Sequence, residues 1–450
     1  SNGFLHIRKI MSPDTIVALA TPGGRSSISV VRLSGSKSIF FAQKLSRSKC
    51  EFYKRCVVVL PVYIENSEKI DDAVYIFFKS PASYTGEDVI EICCHGNPVI
   101  VGSVLDRLCH FGARLADPGE YTKRAFINGK MDLVQAESVG LLISARSKDA
   151  AKHQSKNLSG GLSKTISLIR DDLLVSLSSL EYEFDISEND SGVDSFLKKS
   201  LKTINNNILL VNDLLLSYVR SKAYQQGVRV VICGQTNAGK STLMNALLDS
   251  NRSITSNIAG TTRDTITSDL VVGGVPITLV DTAGLRDPQT PIEEDGVART
   301  WKEISRADLI ISVHSVDTQP IDYNDNIECL YVFNKVDIGA PGPGDCASLS
   351  VSALRGDGID ILWKKIEDVV LSLSYTGSDI FINTARQKDS LRLCLDSMVR
   401  TKKALKNGTH ELELAAFDLR TAINSLDSFL GKVTSNDILE KVFTGFCVGK

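Results

Sequence analysis

The stretch Gly234-Gln235-Thr236-Asn237-Ala238-Gly239-Lys240-Ser241 directly follows the apolar run Val228 to Cys233. A strand, a glycine-bounded loop and a Lys-Ser pair in this order fit the pattern GxxxxGK[ST]. Glycines let the backbone N–H groups wrap phosphates at a helix N-terminus, where the helix dipole favours negative charge. Lys240 is then placed to reach β- and γ-phosphates, and Ser241 to offer its hydroxyl to Mg²⁺.

Working outward, the region 223–375 alternates strands and helices. Its apolar runs Val228–Val231, Ile277–Val280, Leu309–Val313, Leu330–Phe333 and Leu349–Val351 are short and bounded, as buried parallel strands are. Three of these runs end in polar motifs. Asp281-Thr282-Ala283-Gly284 offers a carboxylate that can hold Mg²⁺ through water, and a glycine whose N–H can face a γ-phosphate. In Asn334-Lys335-Val336-Asp337 the Asp carboxylate can accept N1–H and the exocyclic amine of guanine, a pairing adenine lacks. Ser352-Ala353 is expected to turn backbone N–H toward the guanine O6. Together these elements predict a Ras-like P-loop domain that binds GTP rather than ATP. Leu285 follows Gly284 where switch GTPases place a water-orienting Gln, so another polar group must orient the nucleophile. The acidic run Glu293-Glu294-Asp295 supplies a candidate, though such triplets are more often solvated loops.

On either side the texture differs. From Asp14 to Asp117, β-branched runs such as Ile28–Leu33, Cys56–Leu60 and Asp88–Ile92 predict strands, with a helix over Val99–Cys109. From Tyr121 to Lys222, Leu173, Leu174, Leu177, Leu180, Leu209, Leu210, Leu214 and Leu215 recur at helical spacing and are expected in the core. Ser187–Ser195 reads as a loop. Helical periodicity resumes after Asn383 with Leu391, Leu393, Leu395, Met398, Leu412, Leu414, Leu419, Ile423 and Leu426. A helical pattern interrupted and resumed predicts an inserted domain. The expected organisation is an α+β domain over 11–120, a discontinuous all-α domain over 121–222 and 376–450, and the inserted α/β domain over 223–375.

The 450 residues carry a net charge of −2, so no global basic excess advertises nucleic acid, which leaves room for a local patch. Ten cysteines without a CxxC spacing do not read as a disulfide framework or a zinc site, and point to a reducing compartment. With no run of 18 apolar residues and no transit-peptide composition, a cytoplasmic protein with no membrane span is expected.

Four further stretches carry a resemblance over Asp14 to Lys450. They are Asp14–Ala18 with Gly24-Arg25 and Val31–Gly35; Ser83–Asp88; Arg114–Phe126 with Asn128-Gly129-Lys130; and Phe446-Cys447-Val448-Gly449-Lys450. With the P-loop elements, they make the sequence similar to the MnmE/TrmE family of tRNA-modification GTPases. The resemblance implies an N-terminal folate-binding domain that forms a homodimer. It also implies 5-formyl-tetrahydrofolate or a related tetrahydrofolate held by Arg32, Glu87, Lys130 and Lys450. Nucleotide contacts fall on Asn237, Ala238, Gly239, Lys240, Ser241 and Thr242, and on Ser256, Asn257, Ile258, Ala259, Gly260, Thr261 and Thr262. They continue on Asp281, Thr282, Ala283, Gly284, Asn334, Lys335, Asp337, Ser352 and Ala353. Mg²⁺ falls to Ser241 and Thr262, and K⁺ to Asn237, Ser256, Ile258 and Thr261, where it does the charge work of an arginine finger. Glu293 aligns with the family's water-orienting Glu. The chain departs from the family pattern at Thr236 (usually Pro), at Val448 (usually Ile) and in the loop Thr21–Ser26.

The implied function is a GTPase that works with an FAD-dependent partner on the wobble uridine of certain tRNAs. Together they would install a 5-aminomethyl-type or 5-carboxymethylaminomethyl group from a folate-borne carbon. Cys447 is a candidate catalytic thiol, with a packing role as the alternative. Two other classes compete with this reading: a ribosome-assembly GTPase switch, and a folate-dependent one-carbon transferase with a regulatory G domain.

Overall fold

The computed structural model describes residues 14–49, 56–64, 68–185, 193–250, 267–285, 291–321, 327–341, 349–374, 380–407, 411–433 and 435–449. The chain forms two compact units. One comprises Ser1–Gly140, Ser155–Asn212 and Ala385–Lys450; the other comprises Leu141–Gln154 and Asp213–Thr384.

The first unit opens with a six-stranded sheet of order β3-β4-β5-β2-β1-β6. Its strands are β1 (Ile16–Leu19), β2 (Ile28–Ser34), β3 (Val57–Tyr63), β4 (Lys69–Phe78), β5 (Val89–His95) and β6 (Arg114–Leu115). All pairs are antiparallel except β1 with β6. Period-two alternation decides which side chains go inward. Ala73, Tyr75 and Phe77 of β4 are buried with Ile90, Ile92 and Cys94 of β5, while Cys93 on the other face is half-buried. Helices α1 (Ser38–Ser46) and α2 (Pro98–His110) supply Phe41, Leu45, Val104 and Leu108 to the same core. Helix α2 starts where the sequence signals it: the Asn97 side chain accepts from Val99 N, with Pro98 in the first turn.

The helices outside the main segment of the second unit, of which α4, α5 and α7 run partly into that unit, are α3 (Glu120–Ile127), α4 (Leu133–Ile143), α5 (Lys148–Leu158), α6 (Gly161–Asp185), α7 (Val193–Gln226), α11 (Ala385–Lys406), α12 (Leu412–Leu430) and α13 (Asn436–Phe443). Residues from distant parts of the chain lock several of them together. Glu137 of α4, 6% exposed, receives Arg386 in two hydrogen bonds of 2.8 and 2.9 Å and Gln387 Nε2 at 2.6 Å. Arg386 also donates to the carbonyls of Ser428 and Phe429 at the end of α12. Gly431 ends α12 with a φ of +78°, and a Cβ there would stand 2.7 Å from the Leu133 side chain, so only glycine fits.

Two expectations need correction. Of the expected loop Ser187–Ser195, residues 187–192 lie outside the described residues, and Val193–Ser195 already belong to α7. The leucine series is also only half core. Leu173, Leu177, Leu180, Leu214, Leu391, Leu412, Leu419 and Leu426 are buried, whereas Leu174, Leu209, Leu210, Leu393 and Leu414 are exposed. Helical spacing marks an arc of the helix, but only the part facing another element is covered.

The second unit is built on a sheet of order β12-β11-β10-β7-β9-β8. Its strands are β7 (Val228–Gly234), β8 (Thr267–Val272), β9 (Val275–Asp281), β10 (Leu309–His314), β11 (Glu328–Phe333) and β12 (Leu349–Ser350). Pairing is parallel throughout except for β8, which joins β9 through the hairpin turn Gly273-Gly274. Helices α8 (Lys240–Ser250), α9 (Pro291–Ile304) and α10 (Ile359–Ser374) complete it. The strand order reverses at β7, flanked by β9 and β10. Ligands of open α/β sheets bind at the carboxyl ends of strands at such a point. Among the described residues, no helix is long and apolar enough to cross a membrane.

Replacing Arg386 by Met strands the buried Glu137 carboxylate and is expected to cost about 3 kcal/mol. The urea midpoint of the full-length chain reads this loss. Adding Glu137→Met is expected to recover most of it.

Candidate nucleotide site

The loop leaves β7 with backbone conformations set by glycine: Gly234 has a φ of +149° and Gly239 one of +88°. A Cβ on Gly234 would collide with the Val313 carbonyl, and one on Gly239 with the Asn334 amide. Asn237 adopts a φ of +65°, which asparagine tolerates better than most residues. Lys240 begins α8 nearly buried, and its Nζ donates to the Gln235 carbonyl at 2.9 Å. Burial pulls its pKa down and Asp281 only partly opposes this, so the site is short of negative charge for its own cation.

At the end of β9, Asp281 Oδ2 accepts the Ser241 hydroxyl at 2.6 Å. Its other oxygen, Oδ1, is buried without a partner among the described residues. Thr282 anchors the turn by donating to the Ile232 carbonyl at 2.9 Å, and Gly284 lies so close to Thr236 that a Cβ would stand 2.5 Å from its methyl. Leu285 is buried with Val231, Val280 and Ile304, and its N–H donates to the Gly234 carbonyl at 3.1 Å. Its place after Gly284 is therefore a packing position that closes the loop onto β9.

Asn334 connects the remaining motifs. Its Nδ2 donates to the Ala238 carbonyl at 3.0 Å, and its Oδ1 accepts Ala353 N at 3.0 Å. Ser352 Oγ donates to Asp337 Oδ1 at 2.6 Å, and this bond holds the carboxyl of Asp337 below its ordinary range. Both backbone N–H groups of Ser352-Ala353 are engaged inside the protein, Ser352 N with the Asp357 carbonyl at 2.9 Å and Ala353 N with Asn334. Through these bonds the pair frames Asp337 and Asn334, with Ser352 N held by the turn 352–357 and Ala353 N by the Asn334 side chain. Sequence reading also missed Thr300 of α9, whose buried hydroxyl reaches the Ala283 carbonyl at 3.3 Å. Nothing in its local sequence marks it.

Ser256, Asn257, Ile258, Ala259, Gly260, Thr261, Thr262 and Lys450 lie outside the described residues. Glu293 falls within α9. Lys335 has a φ of +67°, and Thr242 lies in the first turn of α8.

The residues expected to hold a folate gather in the first unit. Glu87 accepts Ser34 Oγ at 2.6 Å and Arg124 Nη1 at 3.2 Å, and Lys130 Nζ donates to the Pro81 carbonyl at 2.9 Å. Arg32 is paired with Glu91 at 2.8 Å, flanked by the rings of Tyr84 and Tyr121, and donates to the Gly449 carbonyl at 3.2 Å. The exposed Cys447 sits in the same tail, its carbonyl accepting Gly119 N at 3.4 Å. Glu91 and Arg124 were not singled out by sequence. Arg124 is 1% exposed among Asp14, Glu87 and Glu120. Burial raises the pKa values of Asp14 and Glu120, but Arg114 and Arg124 outweigh it, and both carboxyls end below their ordinary 3.8 and 4.5.

A parallel sheet with its glycine-rich loop at the strand-order reversal, and these motifs at neighbouring strand ends, defines a P-loop GTPase domain. Comparison with known proteins extends this to the whole chain. The family model for the GTP-binding protein TrmE N-terminus matches residues 15–130, and that for the MnmE helical domain matches residues 133–447. The tRNA modification GTPase MnmE of Thermotoga petrophila is 38% identical over 97% of this chain and 100% of its own length. That of Aquifex aeolicus is also 38% identical, with the same coverage. Among solved structures, Aquifex aeolicus Era Y63A bound to GDP.AlF4- is 24% identical and covers 38% of this chain and 66% of that chain, at a TM-score of 0.25. The chain belongs to the MnmE family.

Asp14 and Glu120, with folded pKa values below the unfolded ones, stabilise the first unit above about pH 4.5, and this is lost as pH falls through the lowered values. Glu120→Gln is expected to lower stability at neutral pH and flatten the acid limb of a thermal-midpoint profile from pH 6 to 3.

Proposed function

We infer that this chain binds GTP at the Gly234–Ser241 loop, hydrolyses it, and uses the cycle in the modification of tRNA. One observation carries the nucleotide part: Asp281 Oδ1, buried and without a partner among the described residues, beside the Ser241 hydroxyl at the strand-order reversal. A buried carboxylate oxygen without a donor fits a cation or its water. Ser241 and Thr262 would ligate Mg²⁺, with Asp281 acting through water. When bound, Mg²⁺ neutralises phosphate charge. Lys240, its pKa depressed by burial, gains its counter-charge from the phosphates. Asp337, preset by Ser352, selects guanine by accepting its two donors, while Asn334 holds the loop beneath.

Asn237, with Ser256, Ile258 and Thr261, would hold K⁺, which would add positive charge against the phosphates. With Leu285 committed to the core, Glu293 orients the attacking water. In the first unit, Glu87 suits the donor edge of a pterin. Arg32 and Lys130, joined by Lys450, suit the glutamyl carboxylates, and Arg32 exchanges Glu91 for the ligand. The folate supplies a one-carbon unit to the wobble uridine, position 34, of the tRNA. The chain acts there as a homodimer with an FAD-dependent partner, and the exposed Cys447 is the candidate thiol that would add to the base or an intermediate.

Asp337→Asn is expected to weaken GTP binding by about 100-fold and to favour xanthosine triphosphate, because an amide offers a donor where guanine needs an acceptor. Competition with a fluorescent nucleotide reads this. Mass spectrometry of tRNA nucleosides, after incubation with the flavoenzyme, GTP, K⁺, a tetrahydrofolate donor and an amine, tests the whole reading. A 5-substituted uridine that needs GTP and is absent with Glu293→Ala is expected. GTP hydrolysis without any new nucleoside overturns the tRNA assignment.

A further inference from the structure

Helix α11 (Ala385–Lys406) carries seven cations against two carboxylates, in a chain whose net charge is −2. The cations are not spread evenly around it. At about 100° per residue, Lys388, Arg392, Lys402, Lys403 and Lys406 share one arc of about 100°, together with Leu395 and Val399. No carboxylate of α11 falls within that arc, since Asp389 and Asp396 stand at its flank. The arc faces solvent: Lys388, Arg392, Val399, Lys403 and Lys406 are exposed, and Lys402 is half-exposed. The opposite arc, with Leu391, Cys394, Met398, Thr401 and Leu405, is buried.

Among the described residues, ion pairing absorbs little of the charge on Arg392, Lys402, Lys403 and Lys406. Arg392 meets Asp396 only at 3.9 Å, with both side chains more than half exposed, which is worth little in water. Arg400, by contrast, lies outside the arc and is spent on Asp418 and Ser397 at 2.8 and 2.9 Å. From Arg392 to Lys406 the helix therefore presents a stripe of positive charge about 21 Å long, at 1.5 Å rise per residue. Phosphates regularly spaced along a backbone match such a row, and long cationic side chains on one helix face can follow it.

We propose that this stripe is a docking surface for the phosphate backbone of the tRNA substrate. The proposal rests on the reading of the chain as a tRNA-modifying protein. The contact is electrostatic and independent of sequence. It positions the RNA and leaves base selection to other groups.

The test is binding of tRNA to the full chain across a salt series. It compares the unaltered protein with the variant Arg392→Gln, Lys402→Gln, Lys403→Gln, Lys406→Gln. Removing four phosphate contacts is expected to shallow the slope of log K against log salt by about 3. At physiological salt the affinity is expected to fall on the order of 10- to 100-fold. Because these side chains are in the solvent-facing arc, GTP hydrolysis and the thermal midpoint are expected to stay unchanged, which separates lost contacts from misfolding. Lys364→Gln with Lys365→Gln, on exposed positions of α10, controls for net charge and is expected to leave the slope unaltered. An unchanged slope in the α11 variant overturns the stripe while leaving the tRNA reading intact. Absence of tRNA binding by the unaltered chain, alone and with its flavoenzyme, overturns both. A loss specific to flavoenzyme capture, with tRNA affinity preserved, reassigns the stripe to a protein partner.

Discussion

One side-chain amide, that of Asn334, holds the nucleotide end of the second unit together. Its two ends are used in opposite senses, the nitrogen on the Ala238 carbonyl and the oxygen on Ala353 N, so the loop after β7 and the turn after β12 are clamped to the strand between them. Each bond is ordinary by itself. Their joint effect is geometric, because three strand ends far apart in sequence are fixed to within one amide's width. Asp337, the carboxylate proposed to select the base, sits three residues from Asn334, which supports the loop after β7. A preorganised site of this kind costs no rearrangement when a ligand arrives.

The first unit solves a different problem with the same means. Its helical part is assembled from segments on either side of the second unit's main segment, and buried polar contacts fix their register. Arg386 and Gln387 converge on Glu137, and Arg170 reaches Asp427 at 2.6 Å. Apolar packing alone tolerates small slips between helices, whereas a buried carboxylate with donors from one side does not. The N-terminal sheet uses Arg124 in the same way, as a single guanidinium that organises three carboxylates.

The sequence was most legible where chemistry restricts residue choice. Gly234 to Ser241, Asp281 to Gly284 and Asn334 to Asp337 stand at strand ends as expected, because few residue types can wrap or approach a phosphate. The strands were legible from β-branched runs, to within a few residues at their ends. Partners were not legible. Periodicity placed Leu174, Leu209 and Leu414 on helices but could not say that nothing covers them. The helical stretch 121–222 gave no sign that Leu141–Gln154 belongs with the second unit, where Ala150 enters its core. Thr300 and Arg124 act through neighbours distant in sequence, and no local pattern encodes such a meeting.

The clasp on Glu137 has a consequence in time. Its partner Arg386 lies 249 residues further along the chain. At about 5–20 residues per second of synthesis, the carboxylate waits on the order of ten to fifty seconds for its guanidinium. Through that interval α4 carries a charge it cannot bury, so its final packing is deferred, while most of the second unit emerges and is free to fold. The order of assembly on the ribosome is thus written into the spacing of one ion pair: the main segment of the second unit emerges before the last segment of the first unit can close the clasp on Glu137.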